Sequence, residues 1–174
     1  GSYTYNSNLA HARVTVYPPP MPDTLQVGLK PRKVASLLAE LSPSNLDHQI
    51  KGMEGLAGSR CGLKHLAVGV NPDAECVLKL LSPLPSHSQR LHNSFAVADH
   101  SGAVAALAIY GKSNSLTNPS ANGATIVLKA PILVKVEAHH WDDKVATEAG
   151  GVLSYDCLLI EQPMQVTQLA TSTR

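Results

Sequence analysis

The sequence predicts an all-β fold, an antiparallel β-sandwich with a single short helix. Two observations lead there. Six or seven apolar segments of strand length follow one another through the second half of the chain, separated by turn-forming stretches. Only one segment has helical periodicity, and strands do not alternate with long helices as a βαβ sheet would need.

The elements read in chain order as follows. Residues 1–8 (GSYTYNSN) are polar and form an expected N-terminal arm. Leu9 to Tyr17 alternates, with Ala10, Ala12, Val14 and Val16 on one side and His11, Arg13 and Thr15 on the other, the pattern of a half-buried strand. Pro18 to Pro22 (PPPMP) ends it, because proline donates no ladder hydrogen bond. After Pro31, Val34, Leu37, Leu38 and Leu41 fall at helical spacing, and Ser42-Pro43 stops the pattern. Residues 42–61, rich in Gly, Ser and Asn, read as loop. Strands are expected at Leu63–Val70, Cys76–Leu81, Ser94–Asp99, Ala103–Tyr110, Ala124–Lys129, Ile132–Ala138 and Val152–Ile160. The expected domain spans residues 9–161, and residues 162–174, rich in Thr and Gln, form a C-terminal arm.

Composition narrows the function classes. With 14 basic and 13 acidic residues the net charge is +1, so bulk charge argues for neither nucleic acid nor an acidic substrate. Charged residues make up 16% of the chain against about 25% in ordinary soluble domains, which points to surface buried against other chains. Cys61, Cys76 and Cys157 are widely spaced, with no C-x-x-C, and read as reduced core thiols. No Asn-x-Ser/Thr sequon, signal peptide or membrane-length apolar run is present, so a cytoplasmic setting is expected and no membrane partner. Gly1-Ser2 in place of Met leaves room for a further N-terminal extension.

Several motifs invite a sharper reading. Ala106 to Ser113 (ALAIYGKS) matches the loose phosphate-loop pattern letter for letter. That motif works when a loop leaves a strand, wraps phosphate and runs into a helix. Here Leu107 to Tyr110 continue a strand, and Pro119 and Gly123 break any following helix, so a strand meeting a turn is the reading adopted. Asp99-His100-Ser101 contains the residue types of a catalytic triad, but contiguous residues do not assemble one, and a hairpin turn is expected. No G-x-S-x-G and no catalytic cysteine context occurs, so no enzyme and no cofactor are expected.

Two clusters remain. Lys30, Arg32 and Lys33 at the helix start are the candidate RNA contacts, against the alternative of a solvated helix end. His139, His140, Asp142 and Asp143 form the densest polar group. Adjacent histidines on a strand face opposite ways, which argues against one shared metal ion. The alternatives are a plain strand end or a subunit interface whose carboxylates and imidazoles respond to pH or cations.

Ser94–Lys112 (SFAVADHSGAVAALAIYGK) and, after a turn-rich insertion, Ala124–Asp143 (ATIVLKAPILVKVEAHHWDD) resemble the closing strands of coat proteins of the bromovirus family and related positive-strand plant viruses. The likeness covers 45 to 50 of the 174 residues. The family's very basic N-terminal arm has no counterpart in this sequence, and residues 144–174 run beyond its usual short C-terminal arm. The resemblance implies a single jelly-roll β-sandwich that assembles with itself, through dimers, into an icosahedral or bacilliform shell around single-stranded RNA. It also implies a setting in the virion and the host cytoplasm. Two other functions fit the residues: a viral movement or RNA-binding protein, and a non-viral β-sandwich binding module.

Overall fold

A computed structural model describes residues 3–7, 12–17, 31–41, 43–58, 60–84, 91–110, 123–140, 152–160 and 162–169. The chain is mostly β, as the sequence predicts. Among the described residues ten strands form one sheet: β1 (Tyr3–Ser7), β2 (Ala12–Tyr17), β3 (Gly69–Val70), β4 (Glu75–Pro83), β5 (Leu91–Ala98), β6 (Val104–Tyr110), β7 (Thr125–Lys129), β8 (Ile132–His140), β9 (Val152–Ile160) and β10 (Val166–Gln168). Their spatial order is β1-β2-β8-β9-β6-β5-β4-β7-β10, with the short β3 beside β8.

The sheet is rolled. β8 and β7 are the outer pair of a run of six strands in that order, five positions apart, yet only Ala130 and Pro131 separate them in sequence. Two intervening residues span at most about 11 Å, whereas six flat strands would hold the outer pair about 24 Å apart. The curl is visible in the core. Leu78 and Leu80 of β4, Phe95 and Val97 of β5, Leu107 and Ile109 of β6, Ile126 and Leu128 of β7, Leu133 of β8, and Leu158 and Ile160 of β9 join in one buried cluster. The corner itself is clamped from three sides. Ala130 N–H donates to the Ala74 carbonyl at 2.9 Å, Asn71 Nδ2 donates to the Pro131 carbonyl, and Gln165 Nε2 donates to the Lys129 and Ala130 carbonyls. These bonds hold Ala130 at φ 52°, a left-handed conformation that costs alanine roughly 1–2 kcal/mol.

The outer face is covered by helices. α1 (Pro31–Ala39) sets Val34, Ala35 and Leu38 against Ala106, Ala108, Val134, Val136, Tyr155, Cys157 and Leu159. α2 (Pro43–Ile50) buries Leu46, and α3 (Met53–Ala57) buries Met53 against Val77 of β4 and Val127 of β7. None of the helices among the described residues is long and apolar enough to cross a membrane.

Four expectations need correction. The sheet is mixed: β6 and β9 run parallel, in register Ala106↔Cys157 to Ile109↔Ile160, where an all-antiparallel sandwich was expected. Both runs are buried on both faces, so their unbroken apolar sequence marks central strands without fixing a direction. Among the described residues three short α-helices stand where one was expected, because α2 and α3 occupy the stretch read as loop. Their lengths of eight and five residues are too short for intrinsic stability, and burial of Leu46, Met53 and Ala57 holds them. In α1 the buried face takes Ala35 rather than Leu37, which is 37% exposed. The expected strand Leu63–Val70 is a 3₁₀ turn, Leu63–His65, followed by the two residues of β3. Two of its N–H groups are captured by side chains, Leu63 by Asp99 and Ala67 by Asn71, while those of His65 and Leu66 close the turn on the Gly62 and Leu63 carbonyls. Within residues 1–8 and 162–174 lie β1, paired with β2, and β10, paired with β7.

Candidate functional site

The residues singled out from the sequence do not converge on one site among the described residues. Arg32 and Lys33 lie in the first turn of α1, and Lys33 is exposed. Lys30, Asp142 and Asp143 lie outside the described residues. His139 and His140 are the last two residues of β8, in register with Arg13 and Ala12 of β2, and His139 also with Val152 of β9. No group of three His, Cys, Asp or Glu residues able to hold a metal ion occurs among the described residues.

The phosphate-loop match dissolves in the core. Ala106 to Ile109 are fully buried in β6 and paired on both sides, with β5 and with β9. A phosphate cradle needs those backbone N–H groups free to face a ligand, and here the sheet uses them. Gly111 to Ser113 lie outside the described residues.

Asp99-His100-Ser101 is a turn, as the sequence predicts. Asp99 is 1% exposed and accepts four hydrogen bonds: from Leu63 N–H at 2.8 Å, Ser101 N–H at 2.9 Å, Ser101 Oγ at 2.7 Å and Ala103 N–H at 3.0 Å. Burial works to raise its pKa. The bonds from Ser101, Leu63 and Ala103 outweigh it and hold the carboxyl below the ordinary aspartate value. The carboxylate therefore acts as a buried knot joining the β5–β6 turn to the 3₁₀ turn at Leu63.

Beside that knot opens a cleft of about 440 Å³, lined by Ala57, Gly58, Arg60, Cys61, Asp73 and Glu75. Each lining group has a local cause. α3 ends at Gly58, whose φ of 54° suits glycine and turns the chain toward β4. Arg60 follows, held by its own N–H on the Ala57 carbonyl and by Nη1 on the Leu56 carbonyl. Arg60 Nε donates to Glu75 Oε1 at 2.7 Å. That bond holds the Glu75 carboxyl below its ordinary value against a smaller effect of burial. The Cys61 N–H donates to the Glu75 carbonyl at 3.0 Å, so Cys61 lies directly alongside Cys76 in a parallel bridge. Cys76 is fully buried, and burial, followed by the nearby Cys61, Asp99 and Glu75, pushes its thiol up to about 12.

The sequence alone does not disclose this cleft. The three thiols are visible in it, but the neighbours Cys61 and Cys76 are brought together by a bridge between an irregular segment and β4, which no local pattern encodes.

No known protein family matches the chain, and no curated protein matches its sequence.

Proposed function

We propose that the protein is a self-assembling structural subunit, a viral coat protein that closes into a shell around single-stranded RNA. The observation that carries this reading is the outer edge of β1. Tyr-Thr-Tyr-Asn-Ser has no charge and no proline, and pairs only with β2 among the described residues. Proteins that stay monomeric blunt such edges with lysine, proline, bulges or a covering element. An unblunted edge offers its N–H and C=O groups to a neighbouring subunit. The low charge of the chain agrees, since a subunit enclosed by copies of itself needs less solvated surface.

On this reading residues 9–161 serve as the shell domain. Arg32 and Lys33, with Lys30, face the RNA, and His139, His140, Asp142 and Asp143 tune the contacts between subunits. The likeness of 94–112 and 124–143 to bromovirus-family coat proteins is what supports the jelly-roll form of that domain. The parallel β6–β9 pair departs from the Greek-key order of a jelly roll, in which neighbouring strands are antiparallel. That departure favours a second reading, a β-rich binding module that remains monomeric.

Electron microscopy of the purified protein at pH ~5 and ~7.5, on either side of histidine titration, with and without single-stranded RNA, separates the two. Closed uniform particles support the coat protein. A monodisperse monomer under all four conditions rejects it and leaves the binding module.

A further inference from the structure

Cys61 and Cys76 are free thiols that stand as direct partners in a parallel bridge. Neighbouring strands run about 4.8 Å apart, within the roughly 4.4–6.8 Å between Cα atoms that a disulfide accepts. Bridge partners project to the same face, and Cys61 packs against the same interior cluster that contains Cys76. The two differ in access. Cys61 is half-buried and lines the cleft, while Cys76 is sealed in the core behind it. The third cysteine, Cys157, lies buried in β9 on the α1-covered side of the sheet, in a different cluster.

We infer that Cys61 and Cys76 form a reversible disulfide, made when a small hydroperoxide enters the cleft and oxidises Cys61. The cleft is wide enough for a hydroperoxide and open to solvent, and no aromatic or long aliphatic side chain lines it. In the first step the Cys61 sulfur attacks the peroxide O–O bond. That bond breaks, Cys61 becomes a sulfenic acid, and the departing oxygen takes the thiol proton and leaves as water from hydrogen peroxide or as the alcohol from an organic hydroperoxide. In the second step the Cys76 sulfur attacks the Cys61 sulfur. The S–O bond breaks as the S–S bond forms, and the Cys76 proton leaves with the hydroxide as water. Two thiols are oxidised by two electrons and one hydroperoxide is reduced. Cys76 is the resolving thiol because Cys61 is held beside it, which replaces exposure with proximity. Its high pKa makes this second step slow beside that of a dedicated peroxidase.

The bond would staple the segment after α3 to β4 and so fix one wall of the cleft. Reduction by a dithiol reopens it. This site is independent of shell assembly and holds for either reading of function.

The test uses the whole folded chain, treated with hydrogen peroxide under native conditions, then alkylated, digested and analysed by mass spectrometry. The expected product is a peptide pair linked through Cys61 and Cys76, lighter than the two thiols by two hydrogens and separated again by dithiothreitol. Cys157 should take the alkylating reagent only after unfolding. The oxidised chain should melt roughly 5–10 °C above the reduced one. Because Cys76 lies in the core, the chosen variant is Cys61→Ser, which should lose both the linked peptide and the thermal shift. Accumulation of Cys61 sulfinic acid beside a free Cys76 thiol overturns the inference. So does a link through Cys157, or the absence of any product.

Discussion

The Asp99 carboxylate accepts the Leu63 N–H at 2.8 Å across 36 residues of sequence, and this bond fastens the Leu63–His65 turn to the β5–β6 hairpin. Removing the carboxylate leaves the N–H groups of Leu63, Ser101 and Ala103 without their acceptor. Hydrogen bonds to a buried charge are worth about 1.5–3 kcal/mol each, with strong overlap within one group. Asp99→Ala is therefore expected to cost about 3–4 kcal/mol in urea denaturation. Asp99→Asn, which keeps one acceptor oxygen, should cost less. Equal, small losses for both would mean that the bonds contribute little.

The same carboxylate sets an acid limb of stability. Its folded pKa is below the unfolded value of about 3.9. A depressed carboxyl contributes its stability in full above the unfolded pKa and loses it as pH falls through the folded one. Stability should thus decline below about pH 4, and Asp99→Asn should flatten that decline. Denaturant midpoints measured between pH 2 and 6, on about the scale of carboxylate titration, test this. An unchanged slope in the variant would assign the limb to other carboxylates.

The strands were legible in the sequence because burial on one or both faces demands apolar residues at strand length. Ala105 to Ile109 and Cys157 to Ile160 stand out for that reason. Their parallel pairing was hidden by the same property: residues apolar on both faces carry no mark of register or direction. α2 and α3 were missed because each rests on few buried anchors, Leu46 in one and Met53 with Ala57 in the other, too few to show a period. The Asp99 turn was read from its residue types. Its bond to Leu63 was not, since nothing local distinguishes an aspartate that caps its own turn from one that also reaches a distant amide. Cys61 beside Cys76 is a contact of the same non-local kind.

Gly62 is the neighbour that lets Asp99 sit so close. A Cβ at residue 62 would meet Asp99 Oδ2 at 3.1 Å and His65 Nδ1 at 3.6 Å. The backbone there is extended, with φ −81°, so alanine brings no dihedral strain. The cost is steric, and it falls on a carboxylate fixed by four hydrogen bonds. Gly62→Ala should destabilise by about 1–2 kcal/mol. Combined with Asp99→Ala it should cost less than the two added together, because the obstructed oxygen is gone. Strict additivity in that double variant would place the effect elsewhere.

Lys135 Nζ donates to Asp156 Oδ1 at 2.8 Å, across directly opposed positions of β8 and β9. Both side chains keep about two-fifths of their exposure, so solvent screens the pair. A double-mutant cycle with Lys135→Met and Asp156→Asn should return a coupling of about 0.5 kcal/mol, falling further in high salt. A coupling of several kcal/mol would mean that the pair is more desolvated than its exposure indicates.

The edge of β1 gives the prediction closest to function. Thr4 is exposed, and its Oγ1 lies 3.0 Å from that of Thr15 on β2. Thr4→Lys adds one charge to an uncharged edge strand, the device by which natural sheets avoid edge-to-edge pairing. As an exposed substitution it should change the stability of a single chain by no more than about 0.5 kcal/mol. If subunits associate along β1, the variant should assemble far less than the parent at equal concentration, by light scattering and by particle counts in micrographs. Thr4→Val, also uncharged and with higher strand propensity, should assemble at least as well as the parent. A lysine variant that assembles normally would remove β1 from the contact and leave the shell reading without the observation that carries it.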